Sequence, residues 1–567
     1  MRPRQVVLRA AFPAVLLLLG LALPAAAGAK PKKAKPKKEK VLRPASYPDM
    51  TTYSCRTDAI DIHPGQNLNL FDRTETCPNA QVVSGPGGTG VFSRGSTAEG
   101  YVTRFKPSMV ELKGGGQLET PSVWDLHLHH VVWIAPDGGP TFASGEEKTI
   151  ATLPRGYGLR VGGDATWGIN YMIHSLTAAG GRQVYVTWEI DWVPVDSPSG
   201  AGIEPTKIQW LDVAGAPQIY PVFDAERGFD RNGDGKYVFP DEVPEDPAAP
   251  GFEERRKISR SRVWTVPDGG ATLVFGAGHL HPGGLNVRLQ VARDGPDAGE
   301  VAGDRRSEVR QLFRSDARYY EPAGAVSWDV SMEATRRGWR IGLKPGDVVS
   351  INTAYDVKRA SWYESMGILP LAVAGGGQPK AKDPFGDRKA VKKMYKKGGI
   401  LTHRRLPENI DRPARKKLGL PDPRDLRSGG AASSGIQMDG FLNSPGGYSA
   451  ISGFSSALMR PPVVEPGDSV TFTNLDALPA MPQTRQAWHT ATSCKPPCNR
   501  GPGIGYPLAG GPIKFDSGQL GFGRGASSEV TTGSNTYTTP PLTKPGKTYT
   551  YFCRIHPFMR GSIRVAG

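Results

Sequence analysis

The most chemically informative residues of this 567-residue chain lie near its C-terminal end. A cysteine, a histidine and a methionine follow one another at intervals of three, as Cys553, His556 and Met559. A thiolate, an imidazole and a thioether together suit both oxidation states of copper, with the thioether as a weak axial ligand. A second imidazole must come from a distant strand, and we expect it to be His489. This set predicts a blue-copper centre that transfers single electrons.

The segment that carries these residues resembles the cupredoxin family. A strand-like run, Val470–Asn474, follows a Pro-Gly turn, and the interval from Cys553 to Met559 is similar to the short ligand loop of amicyanins. The resemblance covers residues 435–567 and implies a Greek-key β-sandwich with one type 1 copper. Its implied ligands are His489, Cys553, His556 and Met559. A structural zinc site or an isolated buried cysteine would explain neither the methionine nor the upstream histidine.

The number of cysteines agrees with one metal-binding thiol. The chain has five cysteines. Cys494 and Cys498 could close a local loop, and Cys55 could pair with Cys77 near the start of the folded chain. Both pairings are hypotheses. They would leave Cys553 as the free thiol that a copper ligand has to be.

A second group of ligand-type residues lies in the first two thirds of the chain. It contains adjacent histidines, a single histidine, a His-x-His pair and a methionine: His129, His130, His174, His279, His281 and Met366. His279 and His281 would share one face of a strand, because side chains alternate with a period of two. His129 and His130 could share a face only at a bulge or a strand end. His127 with His129 is therefore the alternative pair.

This order of residues resembles the copper type II, ascorbate-dependent monooxygenases, the family of peptidylglycine and dopamine monooxygenases. The resemblance spans about residues 50–370 and implies two jelly-roll-like sandwich domains with one copper each. The implied ligands of the first copper, which stores and supplies an electron, are His129, His130 and His174. The implied ligands of the second copper, which is the catalytic one and binds dioxygen, are His279, His281 and Met366.

The sequence departs from that family where a peptide substrate would bind. Most of the family's disulfides are absent. Ala277 stands where peptide-binding members have an arginine two residues before the His-x-His pair. Pro370 stands where they have a tyrosine four residues after the methionine. The resemblance therefore implies the pair of coppers but argues against peptide amidation.

A candidate calcium loop lies between the two histidine groups. Oxygen-bearing residues at alternate positions, a glycine at position 6 and a carboxylate at position 12 are what an EF-hand-type loop requires. A plain Asp/Gly-rich turn is the alternative, because position 12 is aspartate and no clear helices flank the loop. The candidate ligands are Asp230, Asn232, Asp234, Lys236 and Asp241.

These sites together predict an exported copper oxidoreductase. A blue-copper domain would pass electrons to a monooxygenase-like block that activates dioxygen and oxidises an organic substrate, and a redox protein or small reductant would supply the electrons. The alternative is an electron-transfer or copper-storage protein in which only the cupredoxin is redox-active. Each N-terminal histidine taken singly could satisfy core hydrogen bonds instead, and Met366 could be core packing.

The elements that must position these residues are predicted to be strands. The chain has 71 glycines and 51 prolines, and aromatic residues make up 8%. Short alternating runs such as 183–188, punctuated by Pro-Gly and Gly-Gly, are typical of half-buried strands. We therefore expect an all-β protein: two jelly-roll-like β-sandwiches followed by a Greek-key cupredoxin β-sandwich.

The charge pattern divides the chain into domains. Most of the formal net charge of +16 lies in two Lys/Pro-rich tracts, which we expect to be solvated spacers that could contact an anionic cell envelope. The basic start, short apolar run and small residues of the N-terminus predict a secretory signal, so nucleic acid is an improbable partner. The predicted divisions are a signal peptide 1–29, a linker 30–43, copper monooxygenase-like sandwiches 44–205 and 206–374, a basic flexible linker 375–434 and a cupredoxin domain 435–567.

Overall fold

The computed structural model is almost entirely β-structure, which confirms the predicted all-β class. The predicted signal peptide and first linker up to residue 39 lie outside the described residues. The structure describes residues 40–567 except 124, 138, 179, 214–221, 229, 231, 241–263, 294–307, 321–323, 326–327, 359, 411–421, 425, 427–432, 450–459, 482–485, 497, 499–512 and 523–533. Residues 40–567 form one compact unit. Within the described ranges, no helix is both long and apolar enough to cross a membrane.

Thirteen strands are described before residue 210. They are β1 (Thr51–Arg56), β2 (Ile60–Ile62), β3 (Asn67–Glu75), β4 (Gln81–Ser84), β5 (Glu99–Leu112), β6 (Leu118–Glu119), β7 (Leu126–Ile134), β8 (Pro140–Ser144), β9 (Ala151–Thr152), β10 (Tyr157–Gly162), β11 (Thr166–Ser175), β12 (Arg182–Pro194) and β13 (Glu204–Gln209). Short 3-10 segments occur at Thr89–Phe92 and Gly200–Gly202.

The middle of the chain contributes the next strands and a helix. The strands are β14 (Phe223–Ala225), β15 (Lys236–Phe239), β16 (Trp264–Thr265), β17 (Ala271–Gly276), β18 (His279–Leu280), β19 (Gly284–Arg293), β20 (Glu308–Tyr319), β21 (Val330–Ala334), β22 (Ile341–Leu343), β23 (Val348–Asp356), β24 (Trp362–Ser365), β25 (Gly367–Ile368), β26 (Leu371–Gly375) and β27 (Ile400–Leu401). The helix is α1 (Arg388–Lys396), and a 3-10 turn follows at Pro407–Asn409.

The C-terminal segment contains nine described strands. They are β28 (Gly435–Asp439), β29 (Leu442–Ser444), β30 (Gly447–Ser449), β31 (Val463–Val464), β32 (Thr471–Asn474), β33 (Thr492–Ser493), β34 (Thr536–Thr538), β35 (Thr548–Phe552) and β36 (Met559–Val565).

One long sheet runs through the first two groups of strands. Its order is β22-β17-β26-β13-β10-β5-β12-β1-β4, with β2, β6 and β9 attached at its side. β13 joins the two halves, because it pairs in parallel with β10 and antiparallel with β26. A four-stranded sheet, β3-β11-β7-β8, lies over one half, and a sheet of order β15-β23-β19-β20-β21-β27 with β16 lies over the other. Each half is therefore sandwich-like.

The alternation of side chains along the strands places apolar residues inside these layers. In β12 the residues at every second position are buried and belong to the first core: Val184, Val186, Trp188, Ile190 and Trp192. In β19, Val287, Leu289 and Val291 enter a second core in the same way. The C-terminal sheets, β29-β28-β32-β34 and β30-β36-β35-β33 with β31, enclose a third core. The period-two pattern of the sequence is thus the pattern of burial.

Part of the segment expected to be a flexible linker is folded, and that expectation needs correction. Helix α1 lies within it and buries Val391 in the second core. β27 pairs with β21 of the seven-stranded sheet. The basic residues of this tract are interspersed with apolar ones that pack, so charge density alone was a poor guide to disorder. The domain limits themselves stay a prediction.

Candidate metal centre

The loop after β35 brings a thiol and two imidazoles together. Sγ of Cys553 lies 3.9 Å from Nδ1 of His489 and 3.7 Å from Nδ1 of His556, and the two nitrogens are 3.0 Å apart. All three side chains are buried. Each of these residues offers one ligand atom, and the three atoms all lie within 4.8 Å of one another. Among the described residues, no other group of three or more His, Cys, Asp or Glu residues does so.

These distances fit a bound metal ion. An ion about 2.3 Å from sulfur and about 2.0 Å from an imidazole nitrogen sets the sulfur and nitrogen roughly 3.5–3.8 Å apart in tetrahedral to trigonal geometry. The separations at Cys553 lie at or just beyond this range. The donor set, one thiolate and two imidazoles, is the one that copper prefers in electron-transfer sites.

Met559 closes the loop on which Cys553 and His556 stand. Its N–H donates to the carbonyl of His556 at 2.8 Å, and its carbonyl accepts from the N–H of Cys553 at 3.1 Å. The Met559 side chain is fully buried in the same apolar cluster as Cys553. The residue expected as the axial ligand therefore lies in the same apolar cluster as the thiol.

The second nitrogen of each imidazole is held by a different partner. Nε2 of His489 donates to the Asp476 carboxylate at 2.8 Å. Nε2 of His556 donates to the carbonyl oxygen of Gly65 at 2.9 Å. These bonds leave Nδ1 of both rings facing the thiol. Such outer partners fix the tautomer and the ring orientation of a metal ligand.

The same contacts prepare the thiol for ionisation. Burial alone would raise the pKa of Cys553, but hydrogen bonds from His489 and His556 outweigh it and hold the pKa well below its usual value. Burial alone would lower the pKa of His489, yet Asp476 and Cys553 raise it to about 9. The thiolate is the form of cysteine that binds metals.

Both predicted disulfides are present. Cys55 is bonded to Cys77, and Cys494 is bonded to Cys498. Cys553 is the free cysteine, and it is buried. The assignment of the five cysteines made from the sequence is confirmed.

A β-bulge turns three histidines of β7 to one face. His130 lies opposite Met172 and Leu128 lies opposite Ile173, so His129 is an extra residue between them. The residues of β7 that enter the first core have even numbers before this point and odd numbers after it: Leu126, Leu128, Val131 and Trp133. His127, His129 and His130 consequently lie together on the other face, and the bulge needed for adjacent histidines to share a face exists.

An imidazole cluster forms on this face. The ring centre of His174 on β11 lies 4.6 Å from those of His127 and His129, and His281 of the second sandwich lies 4.4 Å from His129. Trp328 packs against His127, His129 and His281 at 5.1–5.3 Å. The two sequence groups of histidines therefore meet at one place rather than at two separate ones.

Several nitrogens of this cluster have no hydrogen-bond partner among the residues that the structure describes. Both ring nitrogens of His127 and of His174 are buried and unbonded, and so is Nε2 of His281. Burial lowers the pKa of His127 to about 3 and holds the pKa values of His129, His174 and His281 well below normal, with the neighbouring imidazoles adding to the effect. Neutral imidazoles with free lone pairs are the form of histidine that binds a metal ion, so the donor chemistry of this cluster suits one, although among the described residues no three of its ligand atoms lie within 4.8 Å of one another.

His130 differs from the other histidines in its contacts. Its Nε2 lies 2.9 Å from Oδ1 of Asn170, and its Nδ1 lies 3.5 Å from Nδ1 of His129. His127 has no such side-chain partner for either nitrogen. Both candidates for the ligand beside His129 therefore lie on the correct face, and the free lone pairs favour His127.

The His-x-His pair and Met366 are neighbours through strand pairing. β18 pairs with β25, which sets His279 opposite Ile368. The hydroxyl of Tyr355 donates to the Met366 carbonyl at 2.6 Å and accepts from the N–H groups of Met366 and His281 at 3.1 and 3.2 Å. The Met366 side chain is buried in an apolar cluster with Val222 and Ile368.

Glu147 is a partner of this site that the sequence analysis missed. Its Oε1 accepts a hydrogen bond from Nδ1 of His279 at 2.7 Å and one from the N–H of Gly145 at 2.9 Å. A side chain at Gly145 would collide with the Glu147 carboxylate, the His129 carbonyl and His279, so the close approach requires glycine. His403 is buried and bonds through Nε2 to the Glu147 carbonyl. No motif marks these residues.

Two cavities adjoin the histidines. One, of about 30 Å³, is lined by apolar side chains and reaches His279; its walls include Phe105, Phe142, Leu153 and Phe275. Ala277 and Pro370 also line it, the two positions that depart from the arginine and tyrosine of the peptide-binding monooxygenases. The other cavity, of about 50 Å³, lies between His174 and the loop residues Arg554 and Ile555.

The candidate calcium loop is only partly described. Position 12, Asp241, lies outside the described residues. The Asp230 carboxylate accepts hydrogen bonds from the N–H groups of Gly233 and Gly235, and Asp234 accepts one from the N–H of Lys236. Lys236 also starts strand β15, so a strand follows the loop instead of a helix. Calcium binding here stays a prediction.

No protein-family model and no curated protein matches the chain. Among solved structures it is similar to a Cu-containing nitrite reductase, NirK, from Thermus scotoductus SA-01, at 16% identity and a TM-score of 0.14, over 53% of this chain and 59% of that one. It is also similar to the tandem CBM22 domains of Xyn10C from Paenibacillus barcinonensis, at 8% identity, a TM-score of 0.13 and coverages of 60% and 99%. A structure of infectious bursal disease virus, Gx strain, matches at 10% identity, a TM-score of 0.16 and coverages of 60% and 77%.

Proposed function

We propose that this chain is an exported copper oxidoreductase. His489, Cys553 and His556, with Met559 as the axial ligand, would hold a copper that exchanges single electrons. The imidazole cluster of His127, His129, His174, His279 and His281 would hold further copper and use those electrons. The observation that carries the proposal is the convergence of one thiolate-forming cysteine and two imidazoles, each anchored through its second nitrogen.

The finer proposal is a monooxygenase reaction at the His279/His281/Met366 site. Hydroxylation of one C–H bond by dioxygen takes two electrons and two protons from outside the substrate and releases the second oxygen atom as water. Bound copper would supply the one-electron chemistry. The protein would contribute apolar walls beside His279, which disfavour a carboxylate at that point.

A second function is supported by a specific observation. Of the described residues, only the set around Cys553 brings three ligand atoms within 4.8 Å. In an electron-transfer protein without turnover, this centre alone would be redox-active, and the N-terminal imidazoles would bind copper without activating dioxygen.

Oxygen uptake distinguishes the two functions. The chain is loaded with copper, freed of unbound metal and supplied with ascorbate in an oxygen electrode, beside a His281→Ala variant. The oxidoreductase predicts uptake by the wild type that the variant lacks, and an increase when uncharged organic compounds are added. Reversible bleaching of a blue band without oxygen uptake in either protein would establish the electron-transfer alternative.

A further inference from the structure

Arg554, the residue after Cys553, fixes the Cys553 centre to the N-terminal sandwiches. The Arg554 side chain is buried, donates to the Ser361 carbonyl at 2.7 Å and pairs with Asp516 at 3.2 Å. Its guanidinium also lies 5.3 Å from the ring centre of Trp362. Asp516 in turn accepts the N–H of Ser361 at 3.0 Å. Ser361 and Trp362 belong to the second sandwich region, so the contact ties the two parts together through buried, charge-assisted bonds.

A further contact extends this interface. Arg227 donates to the carbonyl of Ile513 at 2.8 Å, and the Ile513 side chain packs into the core of the second sandwich. An interface made of a buried ion pair, backbone hydrogen bonds and a shared apolar core holds one geometry. The centre therefore sits in a fixed position, not at the end of a mobile tether.

A continuous chain of bonds leads from this centre to the imidazole cluster. Nε2 of His556 donates to the carbonyl of Gly65 at 2.9 Å. The next carbonyl, that of Gln66, accepts from the N–H of Ser175 at 2.9 Å. Ser175 follows His174 directly in the chain. The route contains no gap wider than a hydrogen bond, whereas a cavity of about 50 Å³ separates His174 from Arg554 and Ile555.

We propose that electrons leave the Cys553 centre through His556, cross to the Gly65 carbonyl and reach His174 along the backbone of Gln66 and Ser175. This inference rests on the proposed function, because it requires metal at both ends. Each transfer oxidises the Cys553 centre by one electron, reduces the His174 centre by one electron and breaks no bond. An external one-electron donor, either a small reductant or a reduced redox protein, returns the Cys553 centre to its starting state.

Pulse radiolysis of the copper-loaded chain tests the route. A short pulse of reductant bleaches the blue band, and the band should then recover without oxygen as the electron moves on. The recovery should be first order, with a rate that changes neither with protein concentration nor with solvent viscosity. A rate that rises with protein concentration, or that falls with viscosity as a tethered motion would, overturns the proposal. Absence of any blue band would instead refute the proposed function.

Two variants separate docking from the route. Arg554→Ala removes the buried contacts and should slow the recovery by about tenfold or more, since small displacements of reacting groups cost rate steeply. Arg564→Ala is the matched control, because its side chain bonds to the Leu426 carbonyl and not to the N-terminal sandwiches. Ser175→Pro removes the N–H that bonds Gln66 and should slow recovery with the blue band intact. An unchanged rate in a folded Ser175→Pro protein would refute the route.

Hydrogen exchange supplies a readout that needs no copper. In the metal-free chain, Arg554→Ala should speed amide exchange in the peptide that contains Gly65 and Gln66. The reason is that His556 would no longer be held against this segment. Arg564→Ala should leave that peptide as protected as in the wild type. Equal exchange in all three proteins would show that Arg554 does not hold the interface.

Discussion

The carboxylate of Glu147 accepts a hydrogen bond from Nδ1 of His279 across 2.7 Å, although 132 positions separate them in the sequence. Both side chains are buried, and the bond joins the first sandwich to the second. This bond fixes His279 in the tautomer that carries its proton on Nδ1 and none on Nε2. Glu147 would therefore position His279 for the metal that we propose at the imidazole cluster.

Replacing Glu147 with glutamine should weaken metal binding at the imidazole cluster. The amide keeps the size of the side chain but loses the charge that orients His279, and the loss of such a partner typically costs about 10–100-fold in metal affinity. Copper titration followed by Trp328 fluorescence measures this affinity, since Trp328 packs on three of the imidazoles. Glu189→Gln is the control, because that carboxylate pairs with Arg104 and Lys106. Equal titrations for both variants would contradict the role of Glu147.

Asp476→Asn should lower the copper affinity of the Cys553 centre alone. The carboxylate holds Nε2 of His489 and also accepts the N–H groups of Gly440 and Phe441. We expect a copper affinity about 10–100-fold lower at this centre, with the N-terminal sites unchanged. Asp468→Asn, in the turn before β32, is the control, since the Asp468 carboxylate accepts the N–H of Glu465 within that turn. A blue band that titrates identically in both variants would rule out this function of Asp476.

Thiol counting tests the state of the cysteines. The metal-free chain, unfolded without reductant, should react with one equivalent of a thiol reagent, because Cys553 alone is free. The folded chain should react slowly, since Cys553 is buried. Three or more thiols in the unfolded chain would contradict the two disulfides.

The candidate calcium loop has its own test. If the loop binds calcium, the ion should raise the melting temperature of the wild type and not of Asp230→Ala, which loses the first ligand. Asp230→Ala should also melt lower without calcium, because its carboxylate bonds two backbone N–H groups. An equal change in melting temperature of the two proteins with calcium would contradict calcium binding at this loop.

Local patterns predicted much of the fold and of the Cys553 centre. The alternation along β12 predicted its buried face, and the three-residue interval from Cys553 to His556 predicted that both lie on one short loop. The adjacent histidines could share a face only at a bulge or a strand end, and the structure has a bulge there with His129 as the extra residue. In each case, the constraint is carried by residues close together in the sequence.

Contacts between distant segments could not be predicted. Gly65 lies 491 positions from His556, and neither Gly65 nor Glu147 belongs to a motif. Trp328 and His403 lie outside the strands and reach the imidazole region in the same way, through contacts between segments far apart in the sequence. The tract around α1 was expected to be flexible because it is basic, and burial of Val391 shows that a few apolar side chains were enough to fold part of it.

Copper content per chain, with visible and electron paramagnetic resonance spectra, tests the central claim most directly. The wild type should carry one blue copper and additional ordinary copper at the imidazole cluster, and Cys553→Ser should lose the blue signal alone. Copper-loaded wild type without a blue signal, or a Cys553→Ser protein that retains one, would contradict the account.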